Sequence, residues 1–383
     1  MGGGAGINQL FQQAFYGSGD LDDGAIEGLL VGARRLAVAA YFAHELERGG
    51  GDFVASGGLV RDPQNFNAAA HAFILGRNGM EIDRRTFLIG ATAAAQDRPI
   101  PIIDAHIHLF DPTRPQGVPW PPKDNAILYK PALPERYRKI ASPQGIVGAI
   151  EAECSTWLED NQWVLDVAAK DSIIVGTVGN LEPGKPEFRA QLERFHKNPL
   201  FRGIRYGDSL WDRHLGAEIQ KPQFIAGLKA LAEAGLVLDT VGADASLIGE
   251  VARVTDKVPG LRVVIDHLPQ MHPLPDLREL GNRPQVYVKV SEVLLRLENG
   301  SVPANVDFYR DTLEQLWSVF GEDRLLYGSD WPNSDLWAPF DVELNVVRPF
   351  FHGKGRVAEE KFFWKNSVAA YRWVKRESGQ PPV

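Results

Sequence analysis

The chain has 383 residues, of which 44% are hydrophobic and 23% are charged, so it can bury a sizeable core and is not a disordered chain. Its formal net charge of -8 leaves no excess of basic residues, which argues against a nucleic-acid partner. The single cysteine excludes an intramolecular disulfide and a cysteine-based zinc site. No apolar run reaches the roughly 18 residues that would predict a membrane span.

Residues 1–79 differ in character from the rest of the chain and contain no recognisable motif. A glycine-rich start precedes residues 24–47, where apolar side chains recur at helical spacing. We interpret this part as a partly helical N-terminal extension of unknown role. It could be a small helical appendage, an arm that builds a homo-oligomer, or an extension upstream of a true start at Met80.

Residues 80–99 resemble a twin-arginine export signal. Arg84 and Arg85 are followed by Phe-Leu and by a short apolar run that ends in small residues. Such a signal lies near the N-terminus, so this hypothesis requires translation to start at Met80. The mature protein would then begin near Gln96 and be periplasmic. The alternative is a helix or linker in a cytoplasmic protein.

From residue 100 to residue 378, short apolar runs rich in β-branched residues alternate with amphipathic stretches, which is typical of repeated βα units and a parallel sheet. The predicted strands are 102–108, 145–151, 173–179, 203–206, 236–240, 263–266, 286–290 and 325–328. The predicted helices are 163–169, 186–196, 222–234, 247–256, 306–320 and 357–374. Eight units over this length predict an α/β fold, a closed (β/α)8 TIM barrel. An open doubly wound sheet is the alternative, but no glycine-rich dinucleotide fingerprint follows any strand.

The first predicted strand has an unusual polar face. Side chains alternate along a strand, so Asp104, His106 and His108 are expected on one face. A parallel strand buried on both sides is normally apolar. Two imidazoles there must be satisfied by a metal, a substrate or hydrogen bonds. The alternative is a pair of core histidines bonded to the backbone.

Two later strands also end in residues capable of chemistry, as expected where a barrel places its active site. The sixth runs into Asp266 and His267, and the eighth is followed by Gly-Ser and then Asp330. A carboxylate at a strand end is well placed as a general base or metal ligand. Asp330 could instead cap the next helix, with Pro332 in its first turn.

The His-x-His pair, His267 and Asp330, in this order and at these strand ends, resemble the amidohydrolase superfamily. Five further stretches resemble its lactonase-like branch, which includes 2-pyrone-4,6-dicarboxylate and sugar-acid lactonases. They are Ile150-Glu-Ala-Glu-Cys, Phe201-Arg-Gly-Ile-Arg, Asp266-His-Leu-Pro, Val288-Lys-Val-Ser and Gly328-Ser-Asp-Trp-Pro. The resemblance covers the whole predicted barrel.

The resemblance also bears on the metal. Many two-metal members have a bridging lysine after strand four and a histidine after strand five, where this chain has Arg205-Tyr206 and Asp239-Thr240. This departure argues against a two-metal centre. His106, His108, His267 and Asp330 could hold one zinc-like divalent ion, although the lactonase branch includes members that work without a metal. No organic cofactor is expected.

The resemblance implies a hydrolase that opens a lactone or cyclic ester of a carboxylated small molecule by water attack. Asp330 would act as base, and His267, also catalytic, would help His106 and His108 to polarise the carbonyl through a bound metal or directly. Arg205 would bind the carboxylate, unless a salt bridge to Asp239 or Glu153 occupies it. By position, Glu153, Lys289 and Trp331 are also expected to bind substrate. The alternatives are a metal-dependent non-oxidative decarboxylase of an aromatic or unsaturated acid, and a non-catalytic binding barrel.

Overall fold

The computed structural model describes residues 99–207, 213–242, 244–271 and 273–383, together with four short strands between residues 53 and 82. It divides into two units, Met1–Pro99 and Ile100–Val383. In the first unit, Phe53–Ala55 pairs antiparallel with Gly58–Val60, and Ile74–Leu75 pairs with Glu81–Ile82. The helix predicted at 24–47 and the twin-arginine-like pair lie outside the described residues, so both stay predictions.

The second unit is built on an eight-stranded parallel sheet in which each strand neighbours the next one in sequence. The strands are β1 (Ile102–Ile107), β2 (Ile146–Ala152), β3 (Ile174–Gly179), β4 (Phe201–Arg205), β5 (Val237–Thr240), β6 (Arg262–Ile265), β7 (Val286–Val290) and β8 (Leu325–Tyr327). Each overlaps one of the predicted apolar runs. These runs form strands because β-branched side chains suit a sheet that is buried on both faces.

Backbone contacts between β1 and β8 close the sheet into a barrel. Ile107 pairs with Trp331 in a parallel bridge. His108 N–H donates to the Trp331 carbonyl at 2.7 Å, and Asp330 N–H donates to the His106 carbonyl at 2.9 Å. The predicted TIM barrel is therefore confirmed, and its closing seam lies beside the predicted site residues.

Helices follow most strands. They are α1 (Pro134–Ala141), α2 (Asp160–Lys170), α3 (Phe188–His196), α4 (Leu215–Glu218), α5 (Pro222–Glu233), α6 (Ser246–Lys257), α7 (Arg278–Gly281), α8 (Val306–Phe320), α9 (Asp341–Gly353), α10 (Arg356–Glu360) and α11 (Asn366–Tyr371). The α8 bounds match the prediction, and the Asn305 side chain caps the helix by accepting from Phe308 N–H. The predicted helix 357–374 is instead interrupted by a π-helical turn, Lys361–Lys365.

The apolar core has two parts. The larger part lies between the strands and the helices. The smaller part fills the barrel with side chains from β1, β2, β3, β5, β6 and β8, and with Tyr371 and Trp373 from the C-terminal segment. The apolar side chains fill the barrel interior, and polar groups lie at the carboxyl ends of the strands. Among the described helices, none has the length and apolar character needed to cross a membrane.

Candidate active site

The regular alternation predicted for β1 fails at Asp104. Pairing between β1 and β2 shifts register between Asp104 and Ile107. Such a bulge re-aims the side chains around it. The Asp104 carboxylate accepts from the Tyr137 hydroxyl of α1 at 2.7 Å and from Ser329 N–H at 2.8 Å. The prediction that Asp104 shares a face with both histidines is therefore wrong.

His106, His108 and Asp330 converge at the carboxyl ends of β1 and β8. The two histidine Nε2 atoms lie 3.3 Å apart, and Asp330 Oδ1 lies 3.1 Å from Nε2 of His108 and 3.5 Å from Nε2 of His106. Gly328 permits this approach, because a Cβ there would lie 2.9 Å from the Cβ of His106. Ligand atoms around a tetrahedral zinc ion, with bonds of about 2.1 Å, lie about 3.4 Å apart, so these atoms have metal-site spacing.

The hydrogen bonds of His108 show that this group fits a cation. Its Nδ1 lies 2.7 Å from the carbonyl oxygen of Ala152. A carbonyl only accepts, so Nδ1 carries the proton that it donates, and Nε2 is the ring nitrogen that faces the Asp330 carboxylate. A ring nitrogen and a carboxylate oxygen at this distance need a positive charge between them, which a proton or a divalent ion would supply.

His267 lies slightly further from the centre. It follows β6 in a left-handed conformation (φ 53°), with Nδ1 2.9 Å from Ser291 Oγ and Nε2 3.8 Å from Asp330 Oδ1. Its ring centroid is 4.4 Å from that of His106. Burial lowers the pKa of His267 to about 4, so the ring is neutral at neutral pH. The structure thus brings all four predicted metal-site residues to one end of the barrel.

Asp330 is almost fully buried yet is held as a carboxylate. Burial alone would raise its pKa, but His267, His108 and His106 together keep the pKa well below its usual range. Asn333 Nδ2 also donates to Asp330 Oδ2 at 2.7 Å. The helical turn that follows, Asn333–Leu336, begins after Pro332 and has no side-chain cap, so the Asp330 carboxylate is not used as a helix cap.

Lys289 lies at the centre of a buried ion-pair network behind His106. Its Nζ is 2.6 Å from Asp239, 2.9 Å from Asp266 and 3.0 Å from His106 Nδ1. Asp266 Oδ1 lies 3.5 Å from the same Nδ1. A carboxylate behind an imidazole fixes the ring orientation of metal-binding histidines, and Asp266 is placed for that role. Burial and the charge of Lys289 lower the pKa of His106 well below its usual value.

The four residues predicted to bind substrate have partners within the protein. Arg205 Nε donates to Asp266 at 2.8 Å and its NH1 donates to the Glu153 carbonyl. The Glu153 carboxylate is paired with Arg213. Lys289 and Trp331 are 0% exposed. The Trp331 ring packs on Tyr137 and Arg136. Substrate contact by Arg205, Glu153, Lys289 and Trp331 stays a prediction.

Glu292 is a site residue that the sequence analysis missed. It follows β7 with φ 51°, and Asn333 Nδ2 donates to it at 3.1 Å as well as to Asp330. Burial and the nearby Asp330 raise the pKa of Glu292 to about 9. The sequence contains a signal for Glu292, because Ser291-Glu292 follows an apolar run just as Asp266-His267 does.

A cavity near this cluster is lined by Trp120, Glu151, Glu153, Cys154 and Asn180 among others. The Trp120 ring lies 5.8 Å from the ring of His108, so this side chain adjoins both the cavity and the cluster. Glu151 is 2% exposed, and burial raises its pKa well above its usual value. The lining contains more acids than bases, because Arg114 is the basic residue among its charged side chains.

Comparison with known proteins agrees with this geometry. The chain is 28% identical over 249 residues to an L-fucono-1,5-lactonase of Burkholderia ambifaria, a match that covers 62% of this chain and 82% of that one. A zinc-bound amidohydrolase structure from Burkholderia multivorans matches with a TM-score of 0.63 and 21% identity, over 71% of this chain and 99% of that one. A structure described as a 2-pyrone-4,6-dicarboxylic acid hydrolase from Pseudomonas putida matches with a TM-score of 0.56 and 20% identity, over 71% and 98%.

The family model described as Amidohydrolase matches residues 103–373, which is well over half of the chain and includes the whole cluster. This match agrees with the order of the ligand residues along the barrel and with their convergence at one end. The chain belongs to the amidohydrolase family.

Proposed function

We propose that this protein hydrolyses a lactone or a related cyclic ester. The observation that carries the proposal is the convergence of two imidazoles and an ionised carboxylate at 3.1–3.5 Å, at the carboxyl end of a TIM barrel. The lactonase named among the relatives supports the choice of a cyclic ester. Hydrolysis of an ester needs a base for water and a positive charge near the carbonyl oxygen, and this cluster can supply both.

In the proposed mechanism, Asp330 accepts a proton from the attacking water and later returns it to the leaving alkoxide. Asn333 holds the other carboxylate oxygen, so the base keeps one orientation. His106, His108 and Asp330 would hold a divalent ion, with His267 beside it. Such an ion, when bound, polarises the carbonyl and lowers the pKa of water. The Asp266 carboxylate lies 3.5 Å behind His106 Nδ1, where it would hold the ring proton on Nδ1 and leave Nε2 for the ion.

We also propose that the substrate carries a carboxylate. The Arg205 and Arg213 guanidinium groups both bind acids of the protein. A substrate carboxylate would have to share Arg205 with Asp266. A panel of lactones with and without a carboxylate therefore separates the two cases, because a requirement for Arg205 predicts preference for the acids.

The decisive experiment combines metal analysis of the purified protein with that lactone panel, followed by acid release. We expect ring opening of at least one lactone, and loss of activity after removal of a bound ion with a chelator. Release of carbon dioxide from aromatic or unsaturated acids, with no lactone opened, would contradict the proposal and favour the decarboxylase alternative. No turnover of either class would favour a binding barrel.

Export is a separate proposal. We infer from Arg84-Arg85 and the following apolar run that translation starting at Met80 would send the protein to the periplasm. The N-terminal sequence of protein isolated from the native cell tests this. A mature start near Gln96 supports export, whereas a start at Met1 contradicts it.

A further inference from the structure

We propose that Arg202, Arg262 and Arg372 form a binding site for a phosphate-sized oxyanion at the amino-terminal rim of the barrel, opposite the candidate active site. Arg202 is the second residue of β4 and Arg262 is the first residue of β6, so both lie where strands begin. Arg372 follows α11, in the C-terminal segment whose Tyr371 and Trp373 side chains pack into the barrel. The proposal goes beyond lactone hydrolysis and does not depend on it.

Contacts with one loop bring two of the guanidinium groups together. Arg262 Nε donates to the Ala370 carbonyl at 2.7 Å, and its NH2 donates to the Gly235 carbonyl at 2.5 Å. Gly235 also borders Arg372, because a Cβ built on this glycine would lie 3.5 Å from Arg372 NH1. Both guanidinium groups therefore adjoin the same residue, between α5 and β5.

Arg202 reaches the same C-terminal segment across β3. A Cβ on Gly176 would lie 2.9 Å from Arg202 Cγ and 3.7 Å from Trp373 Cβ, so this glycine makes room for the arginine beside the neighbour of Arg372. The electrostatics agree with this placement. Burial lowers the pKa of Arg202 and that of Arg262, and the like charge of Arg372 lowers both further.

These three cations have no acid beside them. Among the described residues none of them forms an ion pair, and the bonds of Arg202 and Arg262 go to backbone carbonyls. Asp323, an acid at this rim just before β8, is held by Lys361 at 2.6 Å instead. Like charges held together without a counter-charge repel each other, and a bound anion would remove that repulsion.

The donors that remain suit an oxyanion. Arg202 Nε is buried without a hydrogen-bond partner, and the Arg372 fork makes no hydrogen bond within the described residues. Guanidinium groups bind phosphate oxygens through parallel N–H bonds. Tyr287, the second residue of β7, adds a hydroxyl: burial raises its pKa and the charge of Arg262 opposes this rise, which places the hydroxyl near the same cations.

Calorimetric titration of metal-free protein with inorganic phosphate, at constant ionic strength, tests the proposal. We expect one phosphate per wild-type chain. Arg372→Gln removes an exposed fork and should weaken binding about tenfold or more, because charge-assisted hydrogen bonds are lost. Arg310→Gln is the matched control and should bind like wild type, since Arg310 pairs with Asp307 at the exposed start of α8.

Hydrogen–deuterium exchange locates the bound ion. Phosphate should slow exchange in residues 370–374 and at the start of β6. Circular dichroism checks folding, and if Arg372→Gln does not fold, Arg372→Lys keeps the charge without the fork and should still bind more weakly than wild type.

Three results would each overturn the proposal. They are no phosphate binding by the wild-type protein, unchanged binding in the folded Arg372 variant, and protection from exchange at the barrel mouth alone. These measurements use neither a metal nor a lactone. Failure of the proposed lactone hydrolysis therefore leaves them unaffected, and failure to bind phosphate refutes only this inference.

Discussion

The two sides of the barrel mouth use the same residue types in opposite ways. On the β4–β7 side, Lys289 lies between Asp239 and Asp266, and Arg205 pairs with Asp266, so each buried charge has a buried partner. On the side formed by β1 and β8, the Asp330 carboxylate faces imidazole nitrogens, and Glu292 at the end of β7 adds a second carboxylate. The first arrangement is complete within the protein, whereas the second needs a cation or a proton from outside.

This difference separates structural charges from functional ones more clearly than burial does, because both groups are almost fully buried. A buried ion pair stabilises only if both partners are present. A group of converging acceptors is instead destabilising until a ligand binds. Variants on the two sides should therefore change different measured quantities, and changes in stability should have opposite signs.

The largest effect is expected for Asp330→Asn. The change keeps the size of the side chain but removes the base and a metal ligand, so turnover should fall by about 10²–10⁴-fold or more. Steady-state lactone hydrolysis measures it, and circular dichroism should show an unchanged fold. Activity near that of wild type would refute the assignment of Asp330 as base.

Lys289→Met should damage the folded state rather than the chemistry alone. It leaves Asp239 and Asp266 without their shared cation, and breaking a buried pair in this way costs about 3–5 kcal/mol. Urea unfolding measures the loss. Lys139→Met is the control, because Lys139 and Glu135 form an exposed pair whose loss should change the free energy of unfolding very little. Equal effects of the two changes would contradict a structural role for the network.

Glu292→Gln should stabilise the metal-free protein, the opposite sign. The pKa of Glu292 is raised from 4.5 to about 9, so the folded protein retains a proton that the unfolded chain releases as pH rises above 4.5. Wild-type stability therefore falls between pH 4.5 and 9, and the cost at pH 7 is up to about 3 kcal/mol. Urea unfolding with a chelator should show this gain at pH 7 and almost none near pH 4.5. A gain that does not depend on pH would contradict this account.

The smallest effect is expected in the pH profile of kcat/KM. The pKa of His267 is lowered to about 4 and that of Asp330 lies below its usual range, so neither changes charge between pH 8 and 5.5. The rate should vary less than about threefold over this interval and fall as pH approaches 4. A histidine of ordinary pKa would instead reduce the rate about tenfold at pH 5.5. That decline, if seen, would contradict this account of the site, in which neither His267 nor Asp330 changes charge in this interval.

The sequence was sufficient for the barrel and for the four central site residues. All eight strands overlap predicted apolar runs, because buried parallel strands leave a pattern that is local in sequence. His106, His108, His267 and Asp330 were found because a polar residue at the end of such a run is conspicuous. These signals need no knowledge of tertiary contacts.

The remaining features depend on such contacts. The bulge after Asp104 arises from pairing with β2, which the sequence of β1 alone does not specify. Arg205 pairs with Asp266, 61 positions away, rather than with the Asp239 or Glu153 carboxylates named as its alternatives. Helix α9 was missed since Pro349 lies inside it, and an interior proline normally argues against a helix.

The seam between β1 and β8 gives the cluster a second consequence. His106 lies on the first strand and Asp330 lies just beyond the last, and the seam has backbone bonds at both residues. A metal ion bound here would cross-link the two ends of the folded sheet across more than two hundred residues of intervening chain. Loading with metal would then slow deuterium uptake at the amides of His108 and Asp330, because opening the barrel would require the ion to leave first.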